Sequence, residues 1–358
     1  MPLDADVVVV GAGIVGVATA RALGADARSV LLLEQFELGH ARGSSHGTSR
    51  IFRVNYPNEA FVRLARTADA AWREVEAERG ERLIERVGSL DLGPVAAETA
   101  RALAACSVTH ETLSAAEVRE RWPIRIEPEG EAVLQADGGF IHADRAFAAL
   151  LADAALRGVE IRDRTPVRAL SLERDSVRLA LDDGHVDARA VVVTAGAWGA
   201  GLLAQVDVDL DVVPTRETVL YVDMPDADRL PSVIDYGSRP EAVGVPSRGG
   251  QAAYALAAPG VGLKAGLHHS GPLVDPDSDP EPDERVTAWV ERWVAARYEG
   301  AGARLRAETC LYTNTPDEQF VLERHGRIVV GSACSGHGFK FAPVVGRSLA
   351  RLALDAAA

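Results

Sequence analysis

The pattern of hydrophobic and polar positions is clearest at the start of the chain. An apolar run at 7–10 is followed by a glycine turn, an alanine-rich stretch with helical spacing over 14–23, and a second apolar run at 30–33. Strands that are apolar at every position are typical of a parallel sheet covered on both faces. Residues 6–34 are therefore predicted to form a strand, a helix and a second parallel strand.

Similar patterns return later in the chain. Four further segments have helical spacing of their apolar positions: 59–86, 144–157, 284–297 and 343–354. The strand-like segments are more numerous: 88–93, 159–188, 190–194, much of 216–313, and 327–331. Because buried strands of the first type recur at 190–194 and 327–331, the chain is expected to leave its first sheet and return to it twice.

Length and charge narrow the class of protein. A chain of 358 residues exceeds the size that one hydrophobic core usually supports, and it can bury a large cofactor. Its 52 acidic and 38 basic side chains give a net charge of −14 without a dense basic run, so nucleic acid is not an expected partner. The sequence shows no signal-peptide pattern and no apolar run of membrane-spanning length, so a soluble cytoplasmic protein is expected.

The three cysteines do not form a recognisable framework. Cys106, Cys310 and Cys334 are too few and too irregularly spaced for a set of disulfides or a zinc site, so no metal is expected. Cys106 and Cys334 are interpreted as small buried apolar residues.

The glycine turn after the first strand has the spacing G-x-G-x-x-G. Gly11, Gly13 and Gly16 open a helix whose backbone N–H groups can approach a pyrophosphate. Glu34 ends the second strand about 20 residues later, where a carboxylate accepts a hydrogen bond from a ribose hydroxyl. The unit is predicted to bind a dinucleotide, NAD or FAD, and the return of the C-terminal strand and helix to this sheet favours FAD.

The predicted fold class is α/β with two discontinuous domains. An interleaved Rossmann-type FAD-binding domain is assigned to 1–88, 146–215 and 314–358. A substrate and catalytic domain of α+β type, built mainly on an antiparallel sheet, is assigned to 89–145 and 216–313.

The segment GSSHGTSRIFR at 43–53 is rich in small hydroxylated residues and contains His46, Arg50 and Arg53. It is expected to be a loop whose donors suit a flavin ring edge and an anionic substrate. A single arginine is most often a solvated surface charge. Two arginines three residues apart in a glycine-rich loop favour a binding role.

Several motifs together resemble the monomeric sarcosine oxidase family, whose relatives include N-methyltryptophan oxidase and pipecolate oxidase. They are GAGIVG with Glu34, SSHGTSRIFR, GLKAGLHH, TCLYTNTPDEQF and SGHGFKF, in the family's order between residues 6 and 354. The resemblance covers nearly the whole chain and implies FAD as the cofactor. The residues it implies at the FAD site are Gly11, Ala12, Gly13, Ile14, Val15, Gly16, Glu34, Gln35, Gly43, Ser44, Ser45, Thr48, Ser49, Arg50, Val167, Ala195, Gly196, Trp198, Cys310, Leu311, Gly336, His337, Gly338, Phe339 and Lys340.

The resemblance also implies roles for individual residues. Cys310 matches the cysteine that is joined through sulfur to the methyl group on the benzenoid ring of FAD, and an electron-withdrawing thioether raises a flavin's reduction potential. Lys264 matches the lysine that activates dioxygen beside the flavin, where a fixed cation stabilises developing superoxide. His268 is expected on the strand face of Lys264, and His269 on the opposite face.

Lys340 and Arg53 match the pair that binds the substrate's carboxylate in the family. Two cations, one of them able to form a bidentate pair, suit an α-amino acid. The catalytic set that the resemblance implies is Lys264, Arg50, His46, His268, Tyr254 and Tyr312.

The sequence departs from the family pattern near the expected pocket. Ala-Leu-Ala at 255–257 replaces a bulkier glycine-aromatic-proline stretch, and Ser49 stands where the sarcosine enzymes have threonine. A differently shaped or roomier pocket is therefore expected, and sarcosine itself is not assigned as the substrate.

The combined expectation is a monomeric enzyme that oxidises a secondary α-amino acid, N-methylated or cyclic, to an imine while dioxygen becomes hydrogen peroxide. No separate general base is required, because Arg50, Lys264 and Lys340 would disfavour the ammonium form of the substrate. The alternatives are a biosynthetic imine-forming oxidase acting on a bulkier amino-acid-derived substrate, a flavin dehydrogenase with a non-oxygen acceptor, and a flavin-binding structural or sensing protein without turnover.

Overall fold

The computed structural model describes residues 3–27, 29–239 and 252–358. Within these ranges the helices are α1 (Ile14–Leu23), α2 (Glu59–Arg79), α3 (Ala96–Ala105), α4 (Ala115–Arg121), α5 (Ala143–Leu156), α6 (Gly199–Leu203), α7 (Glu284–Arg297) and α8 (Ala342–Ala357). The strands are β1 (Ala5–Val10), β2 (Val30–Leu33), β3 (Ser49–Phe52), β4 (Ile84–Glu85), β5 (Ser89–Leu92), β6 (Glu111–Ser114), β7 (Glu131–Gln135), β8 (Gly139–His142), β9 (Glu160–Arg162), β10 (Ala169–Leu172), β11 (Val177–Leu181), β12 (Gly184–Val193), β13 (Val213–Val222), β14 (Ser232–Asp235), β15 (Ala253–Ala258), β16 (Gly262–Leu267), β17 (Arg304–Asn314), β18 (Val321–His325) and β19 (Ile328–Ser332).

The first sheet contains the N-terminal strand-helix-strand unit. Its parallel strands lie in the order β9-β2-β1-β12-β19, and antiparallel pairing adds β11 and β10 next to β12 and β18 next to β19. The apolar runs are buried on both faces: Val7 and Val9 pack in one core with α1 and α8, while Val8 and Val10 pack in another with α6. This double coverage explains why β1 and β2 lack polar alternation.

Two glycines let helices lie unusually close to the backbone beside them. A Cβ on Gly16 would lie 1.9 Å from the carbonyl oxygen of Gly11, and one on Gly346 would lie 2.5 Å from the carbonyl carbon of Ala18. Helices α1 and α8 therefore pack directly on each other and on β1, and this fixes the glycine turn at the end of β1.

The second sheet is antiparallel apart from one pair. Its order is β17-β13-β16-β15-β14-β5-β7-β6, with β14 and β5 parallel. Helix α7 covers one face through Trp289 and Trp293, and the indole N–H of Trp293 donates to the buried carboxylate of Asp235 on β14 at 2.8 Å. A third, small sheet in the order β3-β8-β4 pairs strands from segments that the sequence assigns to different domains, so the exact domain boundaries stay predictions.

The α/β fold predicted from the sequence is confirmed, and several of its elements are corrected. Helix α2 ends at Arg79 instead of continuing to 86, because Gly80 takes a left-handed conformation with φ of 63°. Helices α3, α4 and α6 were absent from the prediction. The second half of 43–53, expected as loop, forms β3, so Arg50 lies in a strand.

None of the helices in the described ranges combines the length and the apolar composition needed to cross a bilayer.

Candidate active site

A cavity of about 1100 Å³ extends from the glycine turn after β1 to the segment before α8. Its wall is formed by the ends of β1, β2 and β12, by β3, and by facing parts of β15, β16 and β17. The volume is slightly above the usual range for small-molecule sites. All the site residues predicted from the sequence lie on this wall except Gly16 and Thr48.

The glycine-turn end of the cavity is shaped by backbone geometry. Gly11 has φ of 96°, and a Cβ there would lie 2.8 Å from the carbonyl oxygen of Thr194 at the end of β12. A Cβ on Gly13 would lie 3.3 Å from Ser45 Oγ, which accepts a hydrogen bond from the N–H of Ile14 at 2.9 Å. The first turn of α1 therefore presents bare backbone to the cavity, as a diphosphate requires.

Glu34 lies beside this turn. Its carboxylate accepts hydrogen bonds from the N–H of Ala12 at 2.8 Å and of Phe36 at 3.0 Å, and His40 Nε2 is 3.4 Å away. Burial raises the pKa of Glu34, but the hydrogen bonds from His40, Phe36 and Ala12 outweigh it and lower that pKa. The side chain is thus a fixed carboxylate acceptor suited to a ribose hydroxyl.

Residues 43–47 pack against β17, which joins two motifs more than 250 positions apart. Ser44 Oγ donates to the carbonyl oxygen of Leu311, and His46 Nε2 lies 3.1 Å from that of Thr309. Cys310 Sγ, between them, is 3.8 Å from the carbonyl oxygen of Ser44. Burial raises the pKa of the Cys310 thiol, so it is protonated in the unmodified chain.

Cys334 corrects the sequence-based interpretation of this residue as a buried apolar side chain. It lies on the cavity wall, and its Sγ is 3.7 Å from Ser44 Oγ. Cys106, in contrast, is buried away from the cavity.

Lys264 and Arg50 meet at one carbonyl oxygen. Lys264 Nζ donates to the backbone oxygen of Ser49 at 3.2 Å, and Arg50 Nη1 donates to the same oxygen at 2.9 Å. A Cβ on Gly47 would lie 3.3 Å from Arg50 Nη1 and 3.5 Å from Lys264 Nζ. Burial, and then the nearby Arg50, lower the pKa of Lys264 to about 7, so its ammonium is only partly populated at neutral pH.

The remaining hydrogen bonds of Arg50 also go to backbone. Arg50 Nη2 donates to the carbonyl oxygens of Ser44, at 2.8 Å, and of His46. Burial, and then Arg50 and Lys264, lower the pKa of His46 to about 4, so this imidazole is neutral. Arg50 and Lys264 are therefore the two cationic side chains in this part of the cavity.

The far end of the cavity contains Lys340 and Arg53. Lys340 Nζ donates to Tyr56 OH at 3.0 Å and to the carbonyl oxygen of His337 at 2.7 Å. The Arg53 guanidinium lies 4.2 Å from the centre of the Tyr56 ring. Burial, and then Arg53, hold the pKa of Lys340 well below its usual value. Tyr56, which connects the two cations, is not among the residues predicted from the sequence.

Arg53 has an acidic partner that the sequence did not indicate. Its Nη1 lies 3.2 Å and 3.4 Å from the two carboxylate oxygens of Asp91, and it donates to the carbonyl oxygen of Asn55 at 2.8 Å. Asp91 is fully buried on β5. The signal for Asp91 in the sequence was a charged residue between the two leucines of the predicted strand SLDL.

Neutral rings form the wall between the two ends. His268 Nδ1 is 3.3 Å from Tyr312 OH. Burial, and then His269, hold the pKa of His268 well below its usual value, and burial raises the pKa values of Tyr254 and Tyr312. His268 lies just after the end of β16, so strand alternation does not place it.

Two further predictions from the sequence concern this wall. Of residues 255–257 only Leu256 lines the cavity, so the alanines at 255 and 257 do not widen it directly. The absence of a metal stays a prediction; on this wall His268, His269 and Glu318 each bring one potential ligand atom within 4.8 Å of the others. Their composition, two histidines and a glutamate, is one that zinc accepts.

The lysine count is a signal that the sequence offered and that was missed. Of the 38 lysine and arginine residues only two are lysines, Lys264 and Lys340. Both are buried, and both lie on the cavity wall.

Known proteins similar to this chain share its whole length. A family model described as FAD dependent oxidoreductase (DAO) matches residues 6–352. Monomeric sarcosine oxidase from Bacillus sp. (strain B-0618) is 31% identical over 373 residues, which cover 98% of this chain and 92% of the relative. N-methyl-L-tryptophan oxidase from Yersinia pestis (strain Pestoides F) is 31% identical over 382 residues, covering 99% and 96%. The solved structure of NikD, an unusual amino acid oxidase essential for nikkomycin biosynthesis, superposes with a TM-score of 0.87 at 27% identity, covering 99% of this chain and 95% of that one.

Proposed function

The chain belongs to the FAD-dependent oxidoreductase (DAO) family, and we propose that it oxidises a secondary α-amino acid, N-methylated or cyclic, to the imine. The predicted family and FAD as its cofactor are thereby confirmed, as is the assignment to enzymes acting on CH–NH donors. The observation that carries the choice of substrate is the meeting of Lys340 and Arg53 at Tyr56, which provides a buried anchor for a carboxylate.

The residues of the chain fit FAD. The bare turn at Gly11 and Gly13 suits its diphosphate, Glu34 suits a ribose hydroxyl, and Lys264 and Cys310 lie farther along the same cavity. When bound, FAD accepts a hydride equivalent from the carbon next to the substrate's nitrogen and passes two electrons on to dioxygen. The overall reaction is balanced: amine and dioxygen give imine and hydrogen peroxide.

The far end of the cavity, around Lys340 and Arg53, favours the reactive, neutral form of the substrate's amine. Lys340 and Arg53 would hold the carboxylate, while His268, Tyr254 and Tyr312 present neutral rings. An ammonium group placed near these buried cations is disfavoured, so the bound amine loses its proton more easily than in water. No additional base is needed for this step.

The opposite end would stabilise negative charge developing on dioxygen. Lys264 and Arg50 both line the cavity and donate to one carbonyl oxygen, and the neighbouring Gly47 has no side chain that would crowd them. Preorganised charge in a buried site acts strongly on a developing anion, because little reorganisation is needed. This supports an oxidase over a dehydrogenase with another acceptor.

We also propose that Cys310 holds the flavin covalently. It is supported by the position of Cys310 on the wall between Ser44 and Leu311. After acid precipitation the yellow colour should stay with the parent protein and with Cys334→Ala, and it should be released from Cys310→Ala. Release from the parent would remove the covalent link and leave the rest of the proposal intact.

A substrate panel tests the main proposal. Peroxide release should be measured with sarcosine, N-methyl aromatic amino acids, proline and pipecolate, each paired with the corresponding amine lacking the carboxylate. At least one amino acid should be turned over far better than its decarboxylated partner. Equal turnover of both members of every pair would contradict the carboxylate anchor.

A second candidate is a biosynthetic imine-forming oxidase that takes a bulkier amino-acid-derived substrate. The observation that favours it is the structural similarity to NikD over almost the whole chain. An imine product that accumulates without hydrolysis, seen by mass spectrometry with a bulky substrate, would support this candidate over the first. We further propose that the protein acts as a monomer, which light scattering of the purified holoenzyme tests.

A further inference from the structure

We propose that Asp91 restricts the substrate to a single carboxylate: it is a positioning residue that holds Arg53 and balances its charge, so that the far end of the cavity carries one net positive charge. The inference rests on the proposed function, because it concerns the acid that this end accepts.

Asp91 and Arg53 form a shielded ion pair. The side chain of Asp91 is 0% exposed and that of Arg53 is 11% exposed, with 3.2 Å between Nη1 and the nearer carboxylate oxygen. Thr99 Oγ1 lies 3.5 Å from the same carboxylate. Burial raises the pKa of Asp91 to about 6 although Arg53 opposes the rise, so Asp91 is mostly ionised at neutral pH.

The backbone around Arg53 keeps it in this pair. The carbonyl oxygen of Asn55 accepts from Arg53 Nη1, and the Asn55 side chain donates to the carbonyl oxygens of Ser89 at 3.2 Å and Val133 at 3.3 Å. Arg53 is thus tied to β5 and β7 while it still reaches the cavity wall. Its position is set by the second sheet and not by the substrate.

The buried side chains at the far end of the cavity carry a net charge of one positive unit. Burial lowers the pKa of Lys340, but a carboxylate bound beside it favours its ammonium form, so that with an acid in place Arg53 and Lys340 contribute two positive charges and Asp91 contributes one negative charge. Burial holds the pKa of His268 well below its usual value and lowers that of His337 to about 3, so both rings are neutral. Glu318, half-exposed on the same wall, adds negative charge that solvent screens.

One substrate carboxylate therefore neutralises this end, and a second would be buried without a partner. A buried unpaired carboxylate is strongly unfavourable. The parent enzyme should for this reason prefer a monocarboxylate to a dicarboxylate of similar size, and removal of the Asp91 charge should relax that preference.

The test uses the FAD-loaded enzyme at pH 8, with acetate and malonate as probes whose binding is followed by perturbation of the flavin spectrum. We expect Asp91→Asn to raise the affinity for malonate relative to acetate by about tenfold or more, the effect of one pairwise charge in a shielded site. The double variant Arg53→Gln/Asp91→Asn again carries one net charge, so its malonate-to-acetate ratio should return to the parent value. A ratio unchanged in Asp91→Asn overturns the inference.

Asp153→Asn is the matched control. Asp153 is also a buried acid, paired with Arg21 at 3.1 Å and Arg79 at 3.2 Å, but it does not line the cavity. The Asp153→Asn variant should lose stability as Asp91→Asn does, but its malonate-to-acetate affinity ratio should equal that of the parent. An equal change of ratio in both variants would show a general effect of breaking a buried pair, and would overturn the role of Asp91.

Lys340→Met tests the inference even if Asp91→Asn fails to fold. Because the Arg53–Asp91 pair that remains is neutral, this variant should bind acetate at least tenfold more weakly than the parent. Acetate binding within threefold of the parent overturns the charge count. If neither probe nor any amino acid perturbs the flavin of the parent, the carboxylate anchor of the proposed function is wrong and this inference falls with it; bound probes with an unaltered ratio overturn the inference alone.

Discussion

The two lysines of the chain lie on the wall of one cavity, and each has its own arginine nearby. At the Lys264 end, Arg50 makes its hydrogen bonds to the carbonyl oxygens of residues 44, 46 and 49. At the Lys340 end, Arg53 is paired with the buried carboxylate of Asp91. The cations of the first end therefore make their hydrogen bonds to neutral peptide groups, and Asp144 and Glu308 act on Lys264 only electrostatically, whereas the second end pairs Arg53 directly with a carboxylate.

This difference shows what each end is built to bind. Burial lowers the pKa of a lysine readily, while an arginine keeps its charge. Each end combines one permanent charge with one adjustable charge, as the lowered pKa values of Lys264 and Lys340 indicate. The end without a direct ion pair suits charge that develops during reaction, and the end with the Arg53–Asp91 pair suits a substrate that arrives with one full charge.

Lys264→Met gives the largest expected effect and tests whether the two ends are separate. Reoxidation of the reduced flavin by dioxygen should slow by roughly 100- to 1,000-fold, the usual loss when one preorganised charge is removed. Stopped-flow mixing of the reduced enzyme with aerated buffer measures this rate. Reoxidation at the parent rate would sink the assignment of the dioxygen end to Lys264.

Lys340→Met should have the reverse profile. Loss of a charged hydrogen-bond donor from the substrate's carboxylate should weaken substrate binding by roughly 10- to 100-fold. The substrate concentration dependence of anaerobic flavin reduction reports this change, and reoxidation by dioxygen in the same variant should match the parent. A slowed reoxidation would mean that the two ends act as one site.

The difference in unfolding free energy between Lys264→Met and the parent should depend on pH, because the fold lowers the pKa of Lys264. In the unfolded chain Lys264 holds its proton up to about pH 10.5, but in the fold only up to about 7. Between these values the unfolded state binds one proton more, so the parent gains up to about 1.4 kcal/mol of unfolding free energy per pH unit from this group. The advantage of Lys264→Met over the parent should therefore be greatest near pH 7 and shrink toward pH 10.

Urea unfolding of the parent and variant at pH 7, 8 and 9 measures this difference. Arg324→Met, which replaces an exposed cation on β18, is the control and should differ from the parent by a pH-independent amount. A constant difference between Lys264→Met and the parent across this range would contradict the lowered pKa.

Tyr56→Phe should have the smallest effect. The variant keeps the ring under Arg53 and removes only the hydroxyl that accepts from Lys340. Substrate binding should weaken by less than about tenfold, as expected for one hydrogen bond. A loss as large as that of Lys340→Met would show that Tyr56 orders both cations and not Lys340 alone.

Strong local patterns made much of the fold predictable. Helix α1 occupies 14–23 and helix α7 occupies 284–297, as their spacing of apolar residues predicts, and the glycine motif lies at the end of β1. Helix α2 was predicted too long because its spacing continues past Gly80, whose left-handed conformation ends it. Arg50 was expected in a loop, since the pairing of β3 with β8 involves residues about 90 positions away.

Residues that act through distant partners were the part of the site that the sequence did not reveal. Asp91 lies 38 positions from Arg53, and Tyr56 lies 284 positions from Lys340. No local pattern carries such information, because the contacts exist only after the second sheet and the segment before α8 have assembled. The motif residues were predictable since each carries its chemistry within a short stretch.

The scarcity of lysine makes lysine-specific proteolysis a simple probe of local opening in the folded chain. Such a protease has two cleavage positions here, after Lys264 inside β16 and after Lys340 ahead of α8, and both side chains are buried. Each cut therefore requires local opening of one end of the cavity or global unfolding. The two resulting fragment patterns would report, in a single digestion and without any engineered label, which end opens first and which end a bound ligand keeps closed.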